Sequence, residues 1–416
     1  MRFNSCGAIE PWSSCQIPAR KFDVIKYSIP IPKGYKPHRI YSDETARLAS
    51  KLMMLTSMQE ERRRSKHGHF IDFSKAKWRS MFGGRYSEVK SAAIESGLID
   101  TNDRYSVGRF AKQIRLTDEY RTGRFEVYEL SRKIRSGKKP RIDSERLRKV
   151  GVLLYERLGD FRFHIEPKAK SAWEVYQIDR LQHRDYYANR CDFDRFHSNY
   201  TGLPKSTRLQ LSIDGDPLVS VDVSNCQPLA LGIAALQTVQ SNHLPICGTL
   251  NDWIALCAQG QIYEFAQSKL NAGEIKPFVV TKNGRTYEVD PQKWDRRKTK
   301  DAFIICLFER IETMRQNPIY QIIERYFPAI ADYIVSTKRA GYQLVAHACQ
   351  RMESKIMIDG VAAEMLRRHP TSPILTIHDE IIVPVSKLDE LRAILKSEFL
   401  IYGIEPAIKE TYFDQI

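Results

Sequence analysis

Two short apolar runs flank a polar centre at 373–385, PILTIHDEIIVPV: Ile374, Leu375 and Ile377 lead into His-Asp-Glu, and Ile381, Ile382, Val383 and Val385 follow it. That pattern predicts a hairpin of two buried strands. Its turn holds Asp379. A carboxylate fixed between apolar strands is costly unless paired or bound to a cation, so Asp379 reads either as a metal ligand or as an ordinary solvated turn residue. A second segment, DPLVSVDVSNCQPLALGIAAL, reads as a strand over 218–221 that delivers Asp222. The helix after it is capped by Ser224 or Asn225 and has Pro228 in its first turn. A third, KWDRRKTKDAFIICLFERIETM, predicts a helix on which Arg296, Lys300, Ile304 and Phe308 follow one another in steps of four along one face. Between the last two, PFVVTKNGRTYEVDPQ predicts a hairpin about its Asn-Gly.

The first part of the chain is patterned differently. Residues 1–40 carry five prolines among basic residues and read as an extended arm. A helix is predicted from Ser42 through ETARLASKLMMLTSMQEE, then a solvated loop ERRRSKHGH. SKAKWRSMF and YSEVKSAAIESG predict two more helices about a GGR turn, the second closed by Gly97. LIDTNDRYSVGRFAKQIRLT reads as two strands around Asp103 and Arg104. This is the order of a winged helix-turn-helix. It suits a grip on a duplex through the helix at Tyr86, with Lys90, and through a wing with Arg104, Arg109, Lys112 and Arg115. Glu88 and Glu95 on the same helix leave a purely structural module as the alternative. A boundary is expected in SRKIRSGKKPRIDSE, with helices beyond it in SERLRKVGVLLYERLGD and SAWEVYQIDRLQHRDYYANR. The expected division is an arm at 1–40, a winged-helix-like domain at 41–130, a helical segment at 131–190 and a second domain at 191–416.

Composition narrows the partners. A chain of 416 residues, 42% hydrophobic, can bury a sizeable core. Its formal charge of +15 favours a polyanion, with nucleic acid ahead of a membrane surface. There is no apolar run of membrane-spanning length and the N-terminus lacks a signal-peptide core, so a cytoplasmic, nucleic-acid-associated protein is expected. The eight cysteines show no CxxC spacing, which signals neither a zinc ribbon nor a disulfide frame. Two aspartates at strand ends in a basic protein match the needs of two Mg²⁺ ions (Mn²⁺ as a substitute) in phosphoryl transfer, and the helix with Arg296 and Lys300 supplies cations for a triphosphate. The loop DRFHSNYTGLPKSTRLQL, dense in Arg195, His197, Lys205, Arg208 and hydroxyls, suits phosphate or sugar.

In this order the three segments resemble the motifs of the family A DNA polymerases and the single-subunit phage-type RNA polymerases. Asp222 in VDVSNCQ is similar to motif A, Arg296, Lys300 and Phe308 to motif B, and His378-Asp379-Glu380 to motif C. ERYFPAIADYI at 324–334, Gln350, and the loop ending in Arg208 match supporting segments, and the resemblance covers 195–416. It implies an α+β fold with an antiparallel palm sheet, fingers and a thumb-like helical segment before them. It further implies Asp222 and Asp379 as catalytic metal ligands, and Arg296, Lys300, Ile304, Phe308 and Gln227 around a nucleotide. Arg195, Lys205, Arg208, Gln350 and His378 would lie near template and primer. The function it implies is a DNA-directed nucleotidyltransferase acting on a DNA template and primer with dNTPs. A primase-polymerase or RNA polymerase using NTPs is the alternative, and a non-enzymatic replication initiator or DNA-binding regulator is the reading from another class. Gln227 stands where the DNA enzymes have Glu and the RNA enzymes a small residue, Phe308 stands for the usual Tyr, and Ile304 for a common aromatic. Sugar choice therefore stays open with a lean to dNTPs. No acidic constellation for a proofreading nuclease precedes residue 195.

Overall fold

In the computed structural model the described residues are 22–61, 70–102, 112–121, 124–135, 142–163, 172–182, 184, 186–214, 216–282 and 285–413. The chain is mixed α and β with small antiparallel sheets, and it divides into two compact units, one of residues 1–141 and 169–183, the other of 142–168 and 184–416. The crossing at 141/142 falls inside the basic stretch expected as a boundary. The segment 131–190 is not one piece: its first helix belongs to the second unit and its second helix returns to the first.

The first unit begins with β1 (Phe22–Pro32), followed by α1 (Ser42–Glu61), β2 (Ile71–Asp72), α2 (Lys75–Phe82), α3 (Tyr86–Glu95), β3 (Ile99–Asn102), β4 (Gln113–Leu116) and β5 (Phe125–Arg135). The three helices and the sheet β2-β4-β3 enclose a core of Leu48, Leu52, Phe73, Trp78, Val89 and Leu98. Residues 22–32 are no loose arm. β1 pairs antiparallel with β5 over all 11 residues, and the ribbon tolerates Pro30 and Pro32 because each strand of a two-stranded pair keeps an open edge where a missing N–H breaks no ladder.

The chain then enters the second unit through α4 (Ser144–Arg157), leaves β6 (Arg162–Phe163), and returns to the first for α5 (Ala172–Gln182). The rest is second unit. β7 (Ala188–Arg190), β8 (Phe196–Ser198), α6 (Lys205–Arg208) and β9 (Leu211–Ser212) are short. β10 (Leu218–Val223) and α7 (Cys226–Ser241) are the strand and helix expected around Asp222. Next come α8 (Gly248–Ala258), α9 (Ile262–Asn271) and the hairpin β11 (Phe278–Lys282) with β12 (Arg285–Val289), in which Lys282 pairs with Arg285; the Asn-Gly between them lies outside the described residues. After α10 (Arg296–Phe308), α11 (Ile311–Met314), α12 (Pro318–Tyr326), α13 (Pro328–Ala340), α14 (Leu344–Ser354) and α15 (Ala363–Arg368) come β13 (Leu375–Ile377), β14 (Glu380–Pro384), α16 (Leu388–Leu400) and β15 (Ile408–Tyr412).

The sheet β13-β14-β10-β15 organises this unit. β10 lies second from one edge, its Val219, Val221 and Val223 buried in the same apolar core as Leu229, Trp253 and Ile381. Asp222 breaks that buried run at its last but one residue, which is where the sheet stops being a core and becomes a surface. An ionic network ties down the loop that precedes the basic segment. Arg190, buried, grips Asp359 with both terminal nitrogens at 2.8 and 2.5 Å, and Arg148 holds Asp194 at 2.7 Å. Asp359 lies in a wide π-helical stretch, Lys355–Ala362, that joins α14 to α15. At Gly360 the carboxylate of Glu398 packs against the backbone, and a Cβ there would push that side chain aside.

Candidate active site

Register places the two aspartates side by side. Asp222 on β10 faces Glu380 on β14, and Ile377 faces Glu380 across a two-residue turn made of His378 and Asp379. Antiparallel partners lie about 4.5–5.5 Å apart and neighbours along the chain about 3.8 Å, so the Cα atoms of Asp222 and Asp379 lie within about 9 Å. The N–H of Val223 donates to the carbonyl of Asp379 at 3.3 Å and fixes that approach. His378 has φ 59°, the left-handed value that the first position of such a tight turn favours and that glycine would adopt freely. Asn225, at the entry to α7, has φ 55°.

The electrostatics follow from this crowding. Burial, then the charges of Asp379 and Glu380, push the carboxyl of Asp222 up to about 7. Asp379 is raised chiefly by burial. On α14, Glu353 is 1% exposed and is also pushed up to about 7, first by burial. Three carboxyls thus resist ionisation in one place, an arrangement that a cation relieves. Counter-charges are already built in: Arg195 grips Glu353 at 2.9 and 2.7 Å, and Arg208 donates to Glu380 at 2.7 Å and to the carbonyl of Leu203 at 2.6 Å. Lys205 stands 3.8 Å from Glu380. The three cations expected to meet template and primer are therefore engaged by acids of the site, a partnership across some 160 residues that local pattern does not reveal. His378 is held down at about 4 by burial and the neighbouring Arg195, and its ring stands edge-on to His197 with centroids 5.5 Å apart. It is neutral near pH 7.

Besides Nε of Arg208, two buried polar groups here lack a protein partner: both side-chain polar atoms of Asn225 and Nδ1 of His378. Buried polar atoms are hydrogen-bonded as a rule, so these donors and acceptors are open to water or a ligand. Neither was singled out from the sequence for this reason, although Asn225 at a helix entry was expected to cap. Instead its left-handed backbone turns the carboxamide away from the helix N–H groups.

On α10 the expected face is present. Arg296, Lys300 and Phe308 are exposed and Ile304 is half-buried against the core. Lys300 is close enough that its charge lowers the carboxyls of both Asp222 and Asp379. Arg296 is paired with Glu264 on α9 and lies 5.6 Å over the ring of Tyr263. The helix is anchored at its far end by Lys338, 3% exposed, whose ammonium donates to the carbonyls of Leu307, Glu309 and Tyr342 at 2.8, 2.6 and 3.0 Å. Gln227 is half-buried at the start of α7, five residues beyond Asp222, and Gln350 is half-buried on α14, one turn before Glu353.

In the first unit, Arg104 and Arg109 lie outside the described residues. Arg115 pairs with Asp100 at 2.9 Å and lies 4.8 Å over the ring of Phe70. Lys90 is half-buried on α3 and Lys112 is exposed just before β4.

Among the described residues no group of three or more His, Cys, Asp and Glu side chains forms a closed metal cage. The donor set at the sheet edge nevertheless fits Mg²⁺, which binds through one or two carboxylates and takes its other oxygens from water and phosphate. No protein-family model matches the chain, and no curated protein matches it.

Proposed function

We propose that the second unit is a template-directed nucleotidyltransferase built on a polymerase palm, with β13-β14-β10-β15 as the palm sheet and α10 as the fingers helix. The observation that carries this reading is the register that brings Asp222 and Asp379 together at one end of the two central strands, where burial first, and neighbouring acids after it, raise their carboxyls. Asp222 and Asp379 would hold two Mg²⁺ ions, which when bound supply the Lewis acidity that activates a 3′-hydroxyl and neutralises the departing pyrophosphate. Lys300 offers an ammonium to the triphosphate, and Arg296 joins it by exchanging Glu264 for phosphate. Phe308 and Ile304 present an apolar surface to the base, and Gln227 stands at the sugar. Asn225 offers an unpaired donor and acceptor, and neutral His378 positions the primer end by contact rather than charge. Arg208 and Lys205 keep Glu380 compensated so that the cluster gathers no more negative charge than its cations balance.

Bulk at Gln227 favours deoxyribonucleotides. The test is extension of a primed DNA template with dNTPs and NTPs supplied separately, and of an unprimed template with both, in Mg²⁺ and in Mn²⁺. Primer extension with dNTPs that is lost in Asp379→Ala, with the fold intact by circular dichroism, is the expected result. NTP use without a primer would move the assignment to a primase or RNA polymerase. No incorporation under any of these conditions would leave a nucleic-acid-binding protein with a non-catalytic acidic edge.

A further inference from the structure

The charge of this protein is carried by one of its two units. Residues 1–141 and 169–183 hold 32 Lys and Arg against 17 Asp and Glu, an excess equal to the +15 of the whole chain, whereas the other unit holds 33 of each. Attraction to a polyanion at long range therefore originates in the first unit.

Within that unit α3, the helix that a helix-turn-helix reading sends into a groove, exposes Ser87, Glu88, Ser91, Ile94 and Glu95. Two carboxylates on that face repel phosphate, and it carries no Arg, Asn or Gln for the paired hydrogen bonds that distinguish bases in the major groove. The preceding helix is the opposite. α2 contains no acid, and Ser74 caps it by accepting from the N–H of Lys77. Trp78 anchors it, 4% exposed, with ring centroids 4.8 Å from Phe73. That anchor leaves Lys75, Lys77 and Arg79 outward. Lys75 and Arg79, one turn apart, both lie over the ring of Tyr86, at 6.0 and 5.7 Å, and neither has an acidic partner among the described residues. Single-strand binders stack bases on exposed aromatic rings. Among the described residues of this unit the large hydrophobics that stand exposed are Ile40, Ile94 and Val127, none of them aromatic.

We infer that the first unit is a sequence-independent tether for double-stranded nucleic acid, gripping the phosphate backbone with Lys75 and Arg79 on α2 rather than reading bases with α3. Each phosphate neutralised adds about 0.9 to the slope of log affinity against log salt. The inference is independent of any catalysis at Asp222 and Asp379.

The experiment is fluorescence anisotropy of the full chain with two unrelated DNA duplexes and a single strand across a salt series, in EDTA and without nucleotide. Absence of incorporation, which would sink the catalytic reading, has no bearing on this measurement. In Lys75→Gln/Arg79→Gln the slope falls by about 1.8 and affinity drops by the same factor on both duplexes; in Lys75→Glu/Arg79→Glu the loss is larger. Unchanged Trp78-sensitive fluorescence and circular dichroism show that the fold is kept, as expected for two exposed side chains. A slope and affinity equal to wild type in both variants, a preference of about 100-fold or more for one duplex sequence, or tighter binding of the single strand would each overturn the inference.

Discussion

Replacing Asp222 by Asn tests the electrostatics of the acidic edge and its chemistry together. Burial, Asp379 and Glu380 raise the carboxyl of Asp222 from 3.8 to about 7. At 1.36 kcal/mol per unit, a rise of about three units separates the two protonation states by about 4 kcal/mol, and relaxation around the charge brings the expected effect to about 2–4 kcal/mol. The folded state holds this proton more tightly than the unfolded chain. Its contribution is therefore present below the unfolded pKa near 4 and is lost as pH rises through about 7. Asparagine is nearly isosteric and never ionises, so the variant escapes that loss.

In EDTA at about pH 8 the Asn variant should be the more stable protein by about 2–4 kcal/mol, roughly 5–10 °C in Tm for a unit of this size. Near pH 4.5 the two should agree to within about 1 kcal/mol, because wild-type Asp222 is protonated in the fold. Glu353 titrates in the same window in both proteins, so the difference between them is the quantity to read. Mg²⁺ should close the gap at pH 8 by stabilising the wild type alone. Incorporation should vanish in the variant at every pH. Thermal and urea unfolding at the two pH values supply the measurement. An Asn variant no more stable than wild type at pH 8, or a difference that does not change between the two pH values, would refute the account of a carboxyl raised by burial and by its acidic neighbours.

Three further outcomes follow from named contacts. Arg195→Met leaves Glu353 buried without its two-pronged partner and should cost about 3–5 kcal/mol near pH 8 but less near pH 5, where the carboxyl is protonated; equal losses in urea unfolding at both would remove the ion pair from the explanation. Lys338→Met strands the carbonyls of Leu307, Glu309 and Tyr342 and should cost about 2–4 kcal/mol. Because the carbonyls of Leu307 and Glu309 close α10, it should also raise the KM for nucleotide more than it lowers kcat, and a stability loss with unchanged kinetics would confine Lys338 to the fold. Asn225→Gly relieves a left-handed backbone and removes two unpaired polar atoms, so stability should hold or rise by up to about 1 kcal/mol while nucleotide affinity falls; unchanged nucleotide titration would take Asn225 out of the site.

What was legible in the chain is what repeats locally. Continuous apolar runs on either side of His378-Asp379 marked β13 and β14, and a similar run before Asp222 marked β10, because a strand buried on both faces must be apolar almost throughout. The β11-β12 hairpin was visible because Asn-Gly between two β-prone runs is a local signal, and the two strands pair as expected. β15 was not visible. Its IKETY sequence alternates weakly and leaves Lys409 and Tyr412 exposed, so only its pairing with β10 makes it a strand. β1 was hidden by its prolines, and its partner lies some 100 residues away. The acidic partners of Arg195 and Arg208 were hidden for the same reason. A basic loop reads as a phosphate site until the acids on α14 and β14 that claim it are brought in by the fold.

Strain by itself does not locate the site. Six residues other than glycine have positive φ among those described, and four of them, Arg148, Arg184, Asp194 and His243, lie elsewhere. Arg148 and Asp194 show how such strain is ordinarily held: they pair with each other at 2.7 Å within a network that also includes Arg190 and Asp359. Asn225 and His378 differ because the fold leaves their polar atoms without partners and sets them beside carboxyls that repel one another. What sets this place apart is the combination, a left-handed backbone, unpartnered polar atoms and carboxyls raised by burial within a few residues of one another. A ligand that is positively charged on one side and rich in hydrogen-bonding groups on the other resolves both faults at once. On the proposed function, a divalent cation escorted by a nucleoside triphosphate would have that character, the metal at Asp222 and Asp379 and the sugar and base toward Asn225 and Gln227.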